Sequence, residues 1–255
     1  MQSKSPEALH CGACSREFPI EREVLRLNPE YQGNNAIAAE YYNSSLWPKF
    51  RFWEWVAHLP RGGERKARNE VLGHLKNLPG TRLLEVAIGD GRNLPLVPKD
   101  CQMWGVDISS VLLEKCQHDY ADRDIFLIVG EAESLPFADG TFDNVCSVGA
   151  LNHVNDPTKA LGEMARVCQP DGLVVVADEM PDLPNRQIAH RLGLHKLQKW
   201  ILSRVFFLGD KMSGVILEHT HLKIEPIAEK ALRDWRIIPI WGGLGYCLVG
   251  KPKQR

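Results

Sequence analysis

Leu83-Leu84-Glu85-Val86-Ala87-Ile88-Gly89-Asp90-Gly91-Arg92-Asn93-Leu94 reads as an apolar strand with an acid near its end, a short glycine-bearing turn and the start of a helix. Gly89 and Gly91 carry no Cβ, so the backbone can turn sharply and lie close to a ligand. The N–H groups of a following helix start favour anionic groups, and Glu85 is placed to receive a ligand's amino group. Alone, the turn is equally explained by the steric needs of a strand-to-helix connection, the more so with Ala87 where a first glycine would stand.

Asp107 changes that balance. It closes the apolar run Met103-Trp104-Gly105-Val106, 22 residues after Glu85, and is followed by Ile108-Ser109-Ser110. An acid about 20 residues beyond a glycine turn suits ribose hydroxyls. In a doubly wound sheet both acids sit at the carboxyl ends of neighbouring strands, where ligands bind, so the pair points to a nucleoside-cofactor crevice.

Around this pair, strand-like runs at Arg82–Ala87, Gln102–Val106, Ile125–Val129, Asp143–Val148 and Leu173–Ala177 alternate with helical runs near Ser109–Tyr120 and Pro157–Cys168. Such alternation predicts an α/β, Rossmann-like, doubly wound and mainly parallel sheet. Ile224–Arg233 is helix-like, and Trp235–Trp241 and Gly245–Val249, joined by Gly242-Gly243-Leu244, predict a C-terminal antiparallel hairpin. Three regions follow: a cysteine-containing leader (1–32), an aromatic lid or cap segment (33–62), and a main domain (63–255) carrying a helical cap insertion at 182–221. The aromatic segment suits a cap on the sheet edge and a lid over the crevice, two roles that are compatible.

With 44% hydrophobic and 25% charged residues, the 255-residue chain can bury one large core. A formal net charge of −1 leaves no global basic footprint, which disfavours nucleic acid as the partner. Residues 1–7 lack the apolar core of a secretory signal, and no run of about 18 uncharged apolar residues exists, so a soluble, cytoplasmic chain is expected. Seven cysteines, five of them isolated, fit free thiols in a reducing compartment. Pro184–Asp210 reads as one long amphipathic helical segment whose charges are basic up to Gly209, and residues 186–208 suit peripheral contact with an anionic membrane surface.

A third motif, Gly130-Glu131-Ala132-Glu133-Ser134-Leu135-Pro136-Phe137-Ala138-Asp139-Gly140-Thr141-Phe142-Asp143-Asn144-Val145, completes a constellation with Leu151-Asn152-His153-Val154 and Arg166-Val167-Cys168-Gln169-Pro170-Asp171-Gly172. Together these residues resemble the class I S-adenosylmethionine-dependent methyltransferases, in the ubiquinone- and menaquinone-biosynthesis-like branch (methyltransferase type 11), over roughly Glu64 to Ala177 plus the terminal hairpin. The resemblance implies that S-adenosylmethionine is the cofactor and S-adenosylhomocysteine the product. By similarity Glu85 and the Ala87–Gly91 turn, with Gly89, hold the methionine end, Asp107 takes the ribose hydroxyls, and Ile108 packs on the adenine. Glu131 and Ala132 meet the adenine amine and ring edge, Ser147 stands beside the methionine moiety, and Asp143 is structural. Ala87, Glu131 in place of an aspartate, and Gln169-Pro170-Asp171-Gly172 in place of Lys-Pro-Gly-Gly are departures that keep turn, carboxylate and bend.

Methyl transfer from a sulfonium is an in-line displacement that needs alignment and exclusion of water rather than a nucleophile. A base is required only where the acceptor loses a proton, and His153, after the fourth strand of the alternation, is the candidate, with packing or capping as its simpler role. Asp178 and Glu179 follow the fifth strand, where an N-cap or loop role is equally available. His219 and His221 suit a loop or pocket wall better than a metal site, and no metal is expected. Ser147-Val148-Gly149-Ala150 stands where an Asn/Asp-Pro-Pro-Tyr/Phe stretch would serve planar amines. A small-molecule or lipid-like acceptor methylated at oxygen or carbon is therefore expected. Cys11-Gly12-Ala13-Cys14 resembles half of a small zinc module, a remnant or an incomplete site. Two other readings stand beside this one: an RNA methyltransferase using that module, and a regulatory subunit that binds the cofactor without transferring a methyl group.

Overall fold

The computed structural model describes residues 8–10, 15–27, 30–75 and 78–253. The leader contributes β1 (Ala8–His10), β2 (Glu17–Glu21) and β3 (Val24–Arg26). The lid forms α1 (Gly33–Tyr42) and α2 (Trp47–His58), and α3 (Glu64–Leu72) leads into the sheet. Then come β4 (Arg82–Val86), β5 (Gln102–Asp107), α4 (Ser110–Asp119), β6 (Ile125–Val129), β7 (Phe142–Val148), α5 (Pro157–Val167) and β8 (Cys168–Glu179). A helical insertion precedes α9 (Ile224–Ala231), β9 (Leu232–Ile240) and β10 (Gly245–Pro252).

One ten-stranded sheet runs β1-β2-β3-β6-β5-β4-β7-β8-β10-β9. Pairing is parallel from β3 through β8 and antiparallel at both ends. The expected doubly wound sheet and terminal hairpin are both present. Central strands are buried on both faces, so they read as unbroken apolar runs rather than alternating ones. In β8, Val174 and Val176 pack with α5 and α9 on one face, while Val175 and Ala177 face the α3 and α4 side. Residues 169–172 form a bulge in β8 opposite Phe142 and Asn144, which preserves the bend expected there. Asp143 accepts from the Arg82 backbone N–H at 2.8 Å and fixes the start of β4.

The leader extends the sheet: β3 pairs in parallel with β6 and so covers that edge of the parallel strands, a task for which segment 33–62 was one candidate. Cys11 and Cys14 lie outside the described residues. The five other cysteines are free and buried. Among the described residues no helix is long and apolar enough to cross a membrane.

The expected long helix over Pro184–Asp210 is broken. It is replaced by a short turn at Leu183–Arg186, α6 (Ile188–Arg191), α7 (His195–Trp200) and a π-type turn at Ile201–Val205, ahead of α8 (Gly209–Glu218). Gly193 ends α6 at φ 71°, and Phe207 (58°) and Gly209 (71°) reverse the chain before α8. A single helix cannot pass through left-handed residues. The pieces pack on the lid through a second small core of Tyr41, Leu202, Leu208, Met212 and Val215.

Candidate active site

The order of the sheet reverses beside β4, which pairs with β5 on one side and β7 on the other. The carboxyl ends of these strands open on a cavity of about 460 Å³, roofed by the lid and the insertion. That volume lies in the range of small-molecule sites.

Glu85 is 2% exposed. Its Oε1 accepts from Asn93 Nδ2 at 2.6 Å, and Asn93 is held in turn by Arg68 at 2.9 Å. Its Oε2 is buried without a partner. Burial pushes this carboxyl up to about 7. A desolvated carboxylate with one free oxygen is an incomplete ion pair, and an ammonium group would complete it. Asp107 is also buried, and desolvation lifts it to about 6 against the pull of backbone donors. Gly89 N–H donates to its Oδ2 and Ser109 N–H to its Oδ1, each at 2.8 Å, leaving further lone pairs for hydroxyl donors.

The turn between them differs from expectation in two ways. The helix start after it is only a 3-10 turn, Leu94–Leu96, because Pro95 and Pro98 deny backbone donors and disfavour helical geometry before them. Gly89 lines the cavity as expected, but Gly91 does not. A Cβ on Gly91 would meet Cys116 Sγ at 2.7 Å and Leu94 at 2.8 Å, so that glycine serves packing against α4. Ala87 lines the cavity and holds φ 60°, a left-handed conformation that costs a non-glycine residue on the order of 1 kcal/mol.

Ile108 and Ala132 also line the cavity. Glu131 does not face it; its carboxylate accepts from Asn35 of α1 at 3.1 Å. Asn35 bonds Glu133 as well, and Glu133 accepts from Asn155 N–H, so the lid is tied to the loop before α5. Ser147 is fully buried with its hydroxyl unpartnered, and Val148, Gly149 and Ala150 supply the lining at that strand end. Alternation along β7 explains the offset. The lid has a second tie, Ser109 Oγ to Asn43 Oδ1 at 2.8 Å.

The cap side is aromatic, with Tyr41, Tyr42, Trp47, Phe50, Trp53 and Phe206 in the wall. His153 lines it too, with Nδ1 buried and unpartnered, and burial lowers its pKa so that the neutral ring is favoured. Asp178 and Glu179 stand beside it, with ligating atoms of all three within 4.8 Å of one another. Both carboxyls are raised by burial; the Asp178 charge raises Glu179 further, whereas the hydrogen bond with Glu179 pulls Asp178 down. This trio has donor types that also suit a divalent cation. His219 lines the cavity, whereas His221 does not.

Sequence reasoning missed Asn93, Arg68, Asn35 and Tyr31. The Tyr31 hydroxyl is buried without a partner, and burial together with the nearby charges of Asp107 and Glu131 raises its pKa. Asn93 carried a signal: it sits eight residues beyond Glu85 in a turn that folds back on the strand.

These residues fit S-adenosylmethionine: a buried acid short of one cation, a second acid at the neighbouring strand end, and a turn open at Gly89. Residues 84–176 match the family described as Methyltransferase domain. The demethylmenaquinone methyltransferase of Renibacterium salmoninarum is 38% identical over 121 residues, which cover 47% of this chain and 50% of that protein. The phosphatidylethanolamine N-methyltransferase of Cereibacter sphaeroides is 31% identical over 115 residues, 44% of this chain and 56% of that protein. The chain thus spans about half the length of the curated relatives it matches. A SAM-dependent methyltransferase structure from Thermotoga maritima superposes with a TM-score of 0.52 at 19% identity, covering 87% of this chain and all of that one. The chain therefore has the class I methyltransferase fold, and residues 84–176 are similar to a methyltransferase domain.

Proposed function

We propose that this chain transfers the methyl group of S-adenosylmethionine to oxygen or carbon of a small, lipid-like acceptor held under the cap. The observation that carries the reading is the Glu85 carboxylate, buried with one oxygen unpartnered, at the strand end adjoining Asp107. Glu85 pairs with the ammonium group, the backbone of Ala87 and Gly89 admits the methionine end, and Asp107 accepts from the ribose hydroxyls. Ile108 and Ala132 enclose the adenine. Glu131, turned toward Asn35, acts there through the lid rather than alone, and Ser147 underlies the methionine moiety. The bound cofactor supplies a sulfonium methyl and leaves as a neutral thioether, so the protein has mainly to align and to exclude water.

His153 takes the acceptor's proton. Its burial keeps the ring neutral, and the Glu179 carboxyl beside it favours the imidazolium that forms. The aromatic wall suits a flat apolar ring such as a hydroquinone or naphthol, which agrees with the quinone substrate class named for one relative. Contact of residues 186–208 with a membrane surface would bring such an acceptor to the cavity.

Incubation with methyl-labelled S-adenosylmethionine and a short-chain naphthohydroquinone tests the assignment. Label in the organic extract, lost on His153→Gln, is the expected result. Cofactor binding with no transfer to hydroquinones or phenols would identify a regulatory subunit instead, and label in RNA would overturn the acceptor class.

A further inference from the structure

The outer face of the cap differs from the rest of the surface. Thirteen large hydrophobic side chains are exposed among the described residues, and ten of them lie in α2, just after it, or in the broken segment 188–205. Ile188 is 75% exposed, Leu192 67%, Phe52 57% and Trp200 56%. Scattered exposed leucines need no explanation, but a concentration of this kind marks a contact surface. The two parts of the cap meet where the Trp53 and Phe206 rings stand 6.3 Å apart and Lys49 lies over the Phe207 ring. Both Trp53 and Phe206 also line the cavity, so the exposed face and the roof of the cavity are the same elements.

Charge selects the occupant. Between Asp182 and Asp210 the chain has five lysines and arginines and no acid. Arg186 and Arg204 pair with the two flanking aspartates, whereas Arg191, Lys196 and Lys199 are exposed and, among the described residues, without an acidic partner. A second copy seated face to face would bring the same cations together. An anionic lipid surface satisfies both features, because apolar groups enter the headgroup boundary while basic groups meet phosphates.

We propose that this face of the cap docks on an anionic bilayer, with Ile188, Leu192 and Trp200 entering the interface and Arg191, Lys196 and Lys199 contacting lipid phosphates. The docking delivers the lipid-like acceptor to the cavity beneath, and in that respect rests on the methyltransferase reading. The broken segment presents Ile188, Leu192, Leu194, Leu197 and Trp200 to solvent.

Co-sedimentation of the full chain with vesicles tests the surface, using phosphatidylcholine alone against an equal mixture with phosphatidylglycerol. Binding to the mixture and little to phosphatidylcholine is expected, with Lys196→Glu plus Lys199→Glu lowering it by about tenfold or more. Ile188→Ser plus Trp200→Ser, neither of which lines the cavity, should also weaken it several-fold while leaving S-adenosylmethionine binding by calorimetry unchanged. Absence of vesicle binding, indifference to both double variants, or a dimer that the same variants dissolve would overturn the proposal. The calorimetry separates the two readings: vesicle binding without cofactor binding keeps the docking surface and sinks the methyltransferase assignment, and the converse sinks docking alone.

Discussion

The two halves of the cavity are built by opposite means. On the sheet side, Glu85 and Asp107 are fixed by strands whose neighbours on both sides are buried, and each acid is held by backbone or amide donors at 2.6–2.8 Å. On the cap side, α1, α2 and the broken insertion rest on a small aromatic and aliphatic core of their own. That cap is tied to the sheet by a few polar bridges, Asn35 to Glu131 and Glu133 and Asn43 to Ser109. A site of this kind keeps its cofactor geometry rigid while the acceptor side can change shape or be replaced. Local opening is governed by how few contacts an element makes, so the cap is the part expected to move.

The sharpest way to break this division is to separate catalysis from cofactor binding. His153→Gln should lower kcat by about 100-fold or more and leave the Kd for S-adenosylmethionine unchanged, measured by label transfer and calorimetry on the same preparation. At saturating S-adenosylmethionine the wild-type kcat should be flat near neutral pH and fall on the acid side, below the ordinary histidine range, because burial lowers His153. Dialysis against a chelator should leave the rate intact. Its loss would mean that His153, Asp178 and Glu179 hold a cation instead of moving a proton.

Next in size is Gly91→Ala on the sheet side. The new Cβ would press on Cys116, Leu94 and Tyr120 at a φ of 78°, for a loss of about 3 kcal/mol. Thermal unfolding should drop on the order of 10 °C. Gly193→Ala in the cap, where a Cβ meets nothing within 4 Å, should cost only the conformational part, about 1 kcal/mol.

Glu85 gives a smaller, pH-dependent effect. In the free protein its carboxyl titrates near 7, and it must be ionised to pair with an ammonium. Below that value cofactor affinity should fall by up to about tenfold per pH unit, and above it level off. Glu85→Gln should weaken binding at pH 8 and remove the slope. The sign for the ligand-free protein is opposite: the native state holds protons that the unfolded chain has released, so stability should decline from about pH 4 to pH 7 as Asp107 and Glu85 ionise. The smallest change is Ala87→Gly, which relieves a left-handed alanine and should stabilise by no more than about 1 kcal/mol in chemical denaturation.

The same contrast governs what could be read from the sequence. Strands β4 to β7 were legible to within a residue, because burial on both faces demands continuous apolar runs bounded by turn residues, whereas β8 begins five residues before the apolar run read for it. Glu85 and Asp107 followed from their place at strand ends. The role of Gly91 was not legible, since a missing Cβ looks the same whether it admits a ligand or a neighbouring helix. Pro95 and Pro98, by contrast, were visible and sufficient to cancel the helix expected after the turn. In the cap, an apolar and basic periodicity over 184–210 was present, but Gly193, Phe207 and Gly209 adopt left-handed geometry that periodicity does not register. Strands β1 and β3 of the leader were hidden by their three-residue length, and the Asn35 bridge joins positions about a hundred residues apart.

The central claim is that the Glu85–Asp107 crevice binds S-adenosylmethionine, and isothermal titration of the wild-type chain and of Asp107→Ala at pH 8 tests it most directly. Saturable one-to-one binding by the wild type, weakened about 100-fold in the variant through loss of charged hydrogen bonds, is the expected result. No binding by the wild type, or equal binding by both, would contradict it.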